Sequence, residues 1–204
     1  MCSNDAYRTD APVYGERDGA RVFLRGGIPA DLPAIEDDIE TLAAFHDRAA
    51  AWRDVGDDEF FRVRPNGSDW SPGQHLFHVC LANELALRNV EMIAEGTSSF
   101  LVERPAPALL ALLVLSTGSM PRGVGRAPRT VVPPARPDPS IVWDTLDGNV
   151  AALARVRADL PRVLAARGAV RHRELGPLGA AHWVRFAALH GWHHARIVDE
   201  LLAA

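Results

Sequence analysis

The chain has 204 residues, 48% hydrophobic and 24% charged, with a formal net charge of −4 and a pI near 6.0. That is enough apolar sequence to bury one real core, and the acidic balance excludes a general nucleic-acid binder, which needs a basic surface to displace counterions. All 22 basic residues are Arg, which excludes Schiff-base chemistry on a lysine, and the two cysteines, Cys2 and Cys80, cannot build a disulfide framework.

The N-terminal stretch MCSNDAYRTDAPVYGERDG lacks the apolar segment of a secretory signal. The most apolar run, at 106–115, is shorter than the roughly 20 residues a membrane span requires. The expectation is a soluble, cytoplasmic protein with neither a membrane nor a nucleic acid as partner. Residues 1–28 show no sustained period and read as a flexible lead-in to a helical domain at 29–204.

Four long helical patterns follow. The first is expected over about 30–55, with Asp31 as cap, Pro33 in the first turn, and Ile35, Ile39, Leu42, Phe45, Ala49 and Trp52 forming one apolar stripe. The second starts after Ser71, a natural N-cap, with Pro72 as first helical residue, and ends near Gly96. Residues 97–138 form an irregular crossover: a short helix near 108–115, then a Gly- and Pro-crowded stretch containing Arg122, Arg126, Arg129 and Arg136. The third helix is expected over about 140–166, with Pro161 kinking it or splitting off its last turn. The fourth covers about 179–203. Apart from a brief ARVFL at 20–24, no segment alternates as a half-buried strand does. The fold class is all-α, and four amphipathic helices with one long crossover make a bundle.

Four of the eight histidines fall within 182–194. In the last helix Trp183, Phe186, His190, His194, Ile197 and Leu201 recur every three or four residues, so His190 and His194 sit one turn apart on the expected core stripe. An i, i+4 pair of imidazoles can aim two nitrogens at one cation. His78, flanked by Phe77, Val79, Leu81 and Ala82, is a buried third donor, and burial favours the neutral imidazole that a metal takes. The same three residues could instead be core histidines satisfied by hydrogen bonds. His75, one turn before His78, reads either as an outer support for a ligand or, as the preferred reading, as a solvated first-turn residue. His46, His182 and His172 read as solvated, His193 as packing at the flank, and Cys80, about 200° round the helix from His78, as an inert buried thiol.

The pairing of WSPGQHLFHV with LGPLGAAHWVRFAALHGWHHARIVDE resembles the DinB/YfiT-like superfamily of metal-binding four-helix bundles. In that family a Trp-Ser/Thr phrase opens the second helix and a His follows eight positions after the Trp, as Trp70 and His78 do. The last helix carries H-x-x-x-H, matched by His190 and His194, and Gly176, Pro177, Leu178 and Trp183 match one branch of the family. The resemblance implies an up-down-down-up bundle with the long crossover between helices two and three. It also implies Zn²⁺ or Ni²⁺, less often Fe or Mn, on His78, His190 and His194, a homodimer in many members, and in some relatives transfer chemistry with a thiol such as bacillithiol or mycothiol.

Two functions remain open. One is a metal-dependent transferase or hydrolase acting on a small molecule, with Arg122, Arg126 and Arg185 as contacts for a substrate or thiol-cofactor carboxylate. The other is a non-catalytic metal-binding stress-response bundle. No general base is evident; Glu84 and Glu91 lie beyond His78 but not one turn from it. An arginine in such a loop also serves simply to keep it solvated.

Overall fold

The computed structural model describes residues 33–64, 68–103, 109–120, 122 and 126–204. The lead-in at 1–28 and the short strand read at 20–24 lie outside them. The described chain is mainly helical, and no described helix is long and apolar enough to cross a membrane.

Helix α1 (Ile35–Ala50) starts about one turn later than expected and continues as a 3-10 turn, Ala51–Val55. Pro33 therefore precedes the helix. The N-cap is Ala34, with no side-chain cap, and Glu36, Asp37 and Asp38 complement the positive end of the helix dipole instead. The expected stripe holds, because Ile35, Ile39, Leu42, Phe45, Ala49 and Trp52 are all buried.

A short helix α2 (Asp57–Phe60) leads to α3 (Pro72–Glu95). Ser71 closes a capping box: its hydroxyl accepts from the Gln74 N–H at 3.2 Å, and the Gln74 side-chain oxygen accepts from the Ser71 N–H at 3.0 Å. Gly96 ends the helix in the left-handed conformation, φ 74°, where a side chain would be strained.

The crossover contributes α4 (Leu109–Thr117) and a 3-10 turn at Arg129–Val131. Helix α5 (Pro139–Ala158) is capped by Asp138, and Pro161 splits off α6 (Leu160–Ala165) as its spacing requires. A hairpin then forms from β1 (Val170–His172) and β2 (Gly176–Leu178), with Val170 opposite Leu178. These strands were not expected; each is three residues long, too short to show alternation. Helix α7 (Ala180–Ala203) closes the chain.

Helix α3 packs on α7 and α5, and α1 packs on α7 and α5. One face of α7 carries small residues, Ala187, Ala188, Gly191 and Ala195, all buried. A Cβ at Gly191 would come within 2.8 Å of the Phe45 ring, so its missing side chain lets α1 approach. This displaces the expected stripe: Trp183 and Leu201 are buried, while Phe186, His190, His194 and Ile197 are partly buried at the edge of that face.

His46, expected at the surface, is 3% exposed. Neither ring nitrogen has a hydrogen-bond partner among the described residues, and burial pushes its pKa down from 6.5 to about 4. The unfolded chain therefore takes up a proton that the folded chain refuses. Stability from this group is complete above pH 6.5 and is lost as pH falls toward 4, by about 2 kcal/mol at pH 5. Urea unfolding of the metal-free protein should show that His46→Leu matches the parent at pH 7.5 and outlasts it by about that amount at pH 5. An equal loss in both proteins would refute the assignment.

Candidate metal centre

Trp70, at the entry to α3, lies against two rings at once, its centroid 5.4 Å from His75 and 5.1 Å from His78. The capping box fixes the first turn of α3, and the crossover then docks on it. The Gln74 amide donates to the Pro134 carbonyl at 3.0 Å, and His78 Nδ1 is 2.7 Å from the Val131 carbonyl. A carbonyl only accepts, so that bond places the His78 proton on Nδ1 and leaves a lone pair on Nε2.

That Nε2 faces α7, where His190 Nε2 lies 3.2 Å away. Two nitrogens each about 2.0–2.1 Å from one tetrahedral ion are about 3.3 Å apart, so this spacing suits shared coordination. The His194 ring is 4.9 Å from His78 and 4.8 Å from His190, centroid to centroid. One nitrogen from each of His78, His190 and His194 lies within 4.8 Å of the other two. The three residues could hold a metal ion.

Electrostatics suit that donor set. Desolvation by burial lowers the pKa of His78, against the opposing pull of the Val131 carbonyl. Burial, reinforced by the neighbouring imidazoles, drives His190 and His194 well below 6.5. All three are neutral near pH 7, the form that ligates without first losing a proton. His190 stacks on Phe186 at 5.3 Å with an interplanar angle of 13°, and its Nδ1 has no hydrogen-bond partner among the described residues.

His75, read as solvated from its first-turn position, is only 5% exposed. Trp70 covers it, Ser68 lies at one ring nitrogen, and His194 lies at the other. Burial first, then the charges of His78, His193 and Arg122, push its pKa down to about 4. His172 is also less exposed than expected, because it packs on Trp183 and Phe186 while its Nδ1 accepts from the Glu174 and Leu175 N–H groups. His182 is partly buried rather than at the surface. His193 is partly buried beside His194, with its ring centroid 5.1 Å away. Cys80 is fully buried with its thiol pKa pushed up by desolvation, which makes it unreactive.

The arginines separate. Arg185 is 4% exposed and is committed elsewhere: it donates to Asp38 at 2.7 Å and to the Leu115 carbonyl at 2.9 Å, deep in the core. That removes it from the anion contacts expected of it. Arg122 makes a two-pronged pair with Glu200, at 2.6 and 2.8 Å, and its charge helps keep His75 and His193 neutral. Arg126 is exposed. Glu84 and Glu91 line a groove of about 480 Å³ between α3 and α5, and Glu91 accepts from Arg155 there at 2.9 Å.

No curated protein and no solved structure matches the chain. A family model, that of the DinB superfamily, matches residues 40–198, which takes in α3, the crossover and all three histidines. The chain belongs to the DinB superfamily.

Proposed function

We propose that this DinB-superfamily protein is a metal-dependent enzyme, a transferase or hydrolase acting on a small molecule, with Zn²⁺ or Ni²⁺ held by His78, His190 and His194. The observation that carries it is the convergence of three neutral imidazoles from two helices, one of them oriented by the Val131 carbonyl. Three protein donors leave a coordination position for water or substrate, which is the pattern of a catalytic rather than a closed structural site. Bound there, the ion would lower the pKa of a water or thiol, or polarise a carbonyl.

The chain's own residues supply the rest. Trp70 packs over His75 and His78 and shields them from water. Arg122, exposed beside the site and held by Glu200, can exchange that partner for a substrate or thiol carboxylate of similar geometry. A low-molecular-weight thiol such as bacillithiol or mycothiol is the proposed co-substrate. The pairing of α1 and α3 with α7 and α5 supports an up-down-down-up four-helix bundle, and a homodimer is the proposed assembly. The buried, free Cys80 fits a reducing cytoplasm.

The test is elemental analysis of the untagged protein, followed by metal removal and refilling. About one transition metal per chain, removable without unfolding, is the expected result and opens a screen of thiol transfer and hydrolysis. Metal whose removal unfolds the chain would favour the non-catalytic, structural reading. Absence of metal even after refilling with Zn²⁺ or Ni²⁺ would end the enzyme reading.

A further inference from the structure

Ser68, His75 and His194 form one line of hydrogen bonds running inward. Ser68 Oγ is 2.9 Å from His75 Nε2, and His75 Nδ1 is 3.0 Å from His194 Nδ1. The Ser68 oxygen also accepts from the Trp70 N–H at 3.2 Å. We infer that His75 is a positioning residue for the metal centre: its Nδ1 accepts the Nδ1 proton of His194, holding the His194 ring in the tautomer that offers Nε2 to the ion.

This rests on the metal reading above and follows from counting protons. Two imidazole nitrogens 3.0 Å apart need one proton between them. If His194 ligates through Nε2, that nitrogen is bare, so the proton must sit on His194 Nδ1 and point at His75. His75 then carries its own proton on Nε2, directed at Ser68 Oγ, an oxygen with lone pairs to receive both His75 and the Trp70 N–H. The line has one polarity once the site is filled. His78 is served in the same way by the Val131 carbonyl. Two of the three ligands thus have an outer acceptor that fixes tautomer and ring angle. His75 cannot drift from this task, since it is 5% exposed and Trp70 packs on it edge to face.

The experiment compares Co²⁺ and Zn²⁺ dissociation constants, by chelator competition, for the full chain and for His75→Leu, His75→Asn and Ser68→Ala. Leu removes the acceptor; the Asn side-chain oxygen restores one near the position of Nδ1. His75→Leu should weaken binding about 10- to 100-fold and His75→Asn should recover to within about threefold. Ser68→Ala, one bond further out, should weaken binding by about threefold. The Co²⁺ absorption spectrum should keep the intensity of the parent site in all three, and ¹⁵N NMR of the Zn²⁺ form should find the His75 proton on Nε2.

Unchanged affinity in His75→Leu would overturn the inference while leaving the metal centre standing. If that variant does not fold, unchanged affinity in Ser68→Ala together with failure of His75→Asn to hold metal does the same. A Co²⁺ spectrum showing one imidazole fewer in His75→Leu would make His75 a direct ligand, against the inference. A parent chain that binds neither ion would overturn both readings.

Discussion

Substituting His190 by Ala is expected to cost metal binding more than a hundredfold and to leave a folded protein. His190 Nε2 lies 3.2 Å from His78 Nε2, a spacing that suits two donors on one ion. Loss of an outer hydrogen bond to a ligand typically costs about 10- to 100-fold, so loss of a ligand itself should exceed that range. The fold should survive because His190 is only partly buried, while Ala187, Ala188, Gly191 and Ala195 of the same helix are buried and Gly191 meets Phe45 of α1. In the metal-free state the substitution also removes a buried, unpartnered Nδ1, which offsets part of the lost packing against Phe186. His78→Ala should lose metal equally but disturb more, since it frees the Val131 carbonyl and one of the ties that hold the crossover on α3. Isothermal titration with Zn²⁺ and circular dichroism on the same samples read both quantities. Undiminished stoichiometric binding in His190→Ala would remove that residue from the centre.

Arg185→Ala is expected to destabilise the protein by about 3–5 kcal/mol. The guanidinium and the Asp38 carboxylate are 4% and 3% exposed, so deleting the cation leaves a carboxylate in the core with no counter-charge from Arg185. The same change orphans the Leu115 carbonyl at the end of α4, loosening the crossover from α1 and α7. Removing both charges should be milder: Asp38→Leu with Arg185→Met should recover much of the loss, because two desolvated charges are exchanged for apolar packing. A urea-unfolding cycle over the two singles and the double measures this. A single-variant loss below 1 kcal/mol would mean that water reaches the pair. Where Arg185→Ala remains folded, its metal affinity should match that of the parent, since its guanidinium hydrogen-bonds to α1 and α4 and not to the histidines.

Local chemistry was legible from the chain alone. Ser71 as N-cap and Pro72 as first residue mark the start of α3, a choice set within one turn of chain, and Pro161 divides α5 from α6 by lacking an N–H. His190 and His194 fall one turn apart on α7 by helical geometry, and His78 reads as buried from its apolar flanks. Family membership followed from the order and separation of these phrases. What the chain could not reveal is which exposed-looking residues become covered. A first-turn histidine is normally solvated; His75 is not, because Trp70 folds over it and α7 brings His194 against it from 119 positions away. His46 was hidden in the same way, and Arg185 read as an anion contact until the fold put it 2.7 Å from Asp38. The hairpin at Val170–Leu178 escaped notice because pairing across so few residues leaves no periodic trace. Helix starts and ligand spacing are set by contacts within a turn or two of chain. Burial and partner choice are set by contacts between helices, which depend on packing rather than on sequence neighbours.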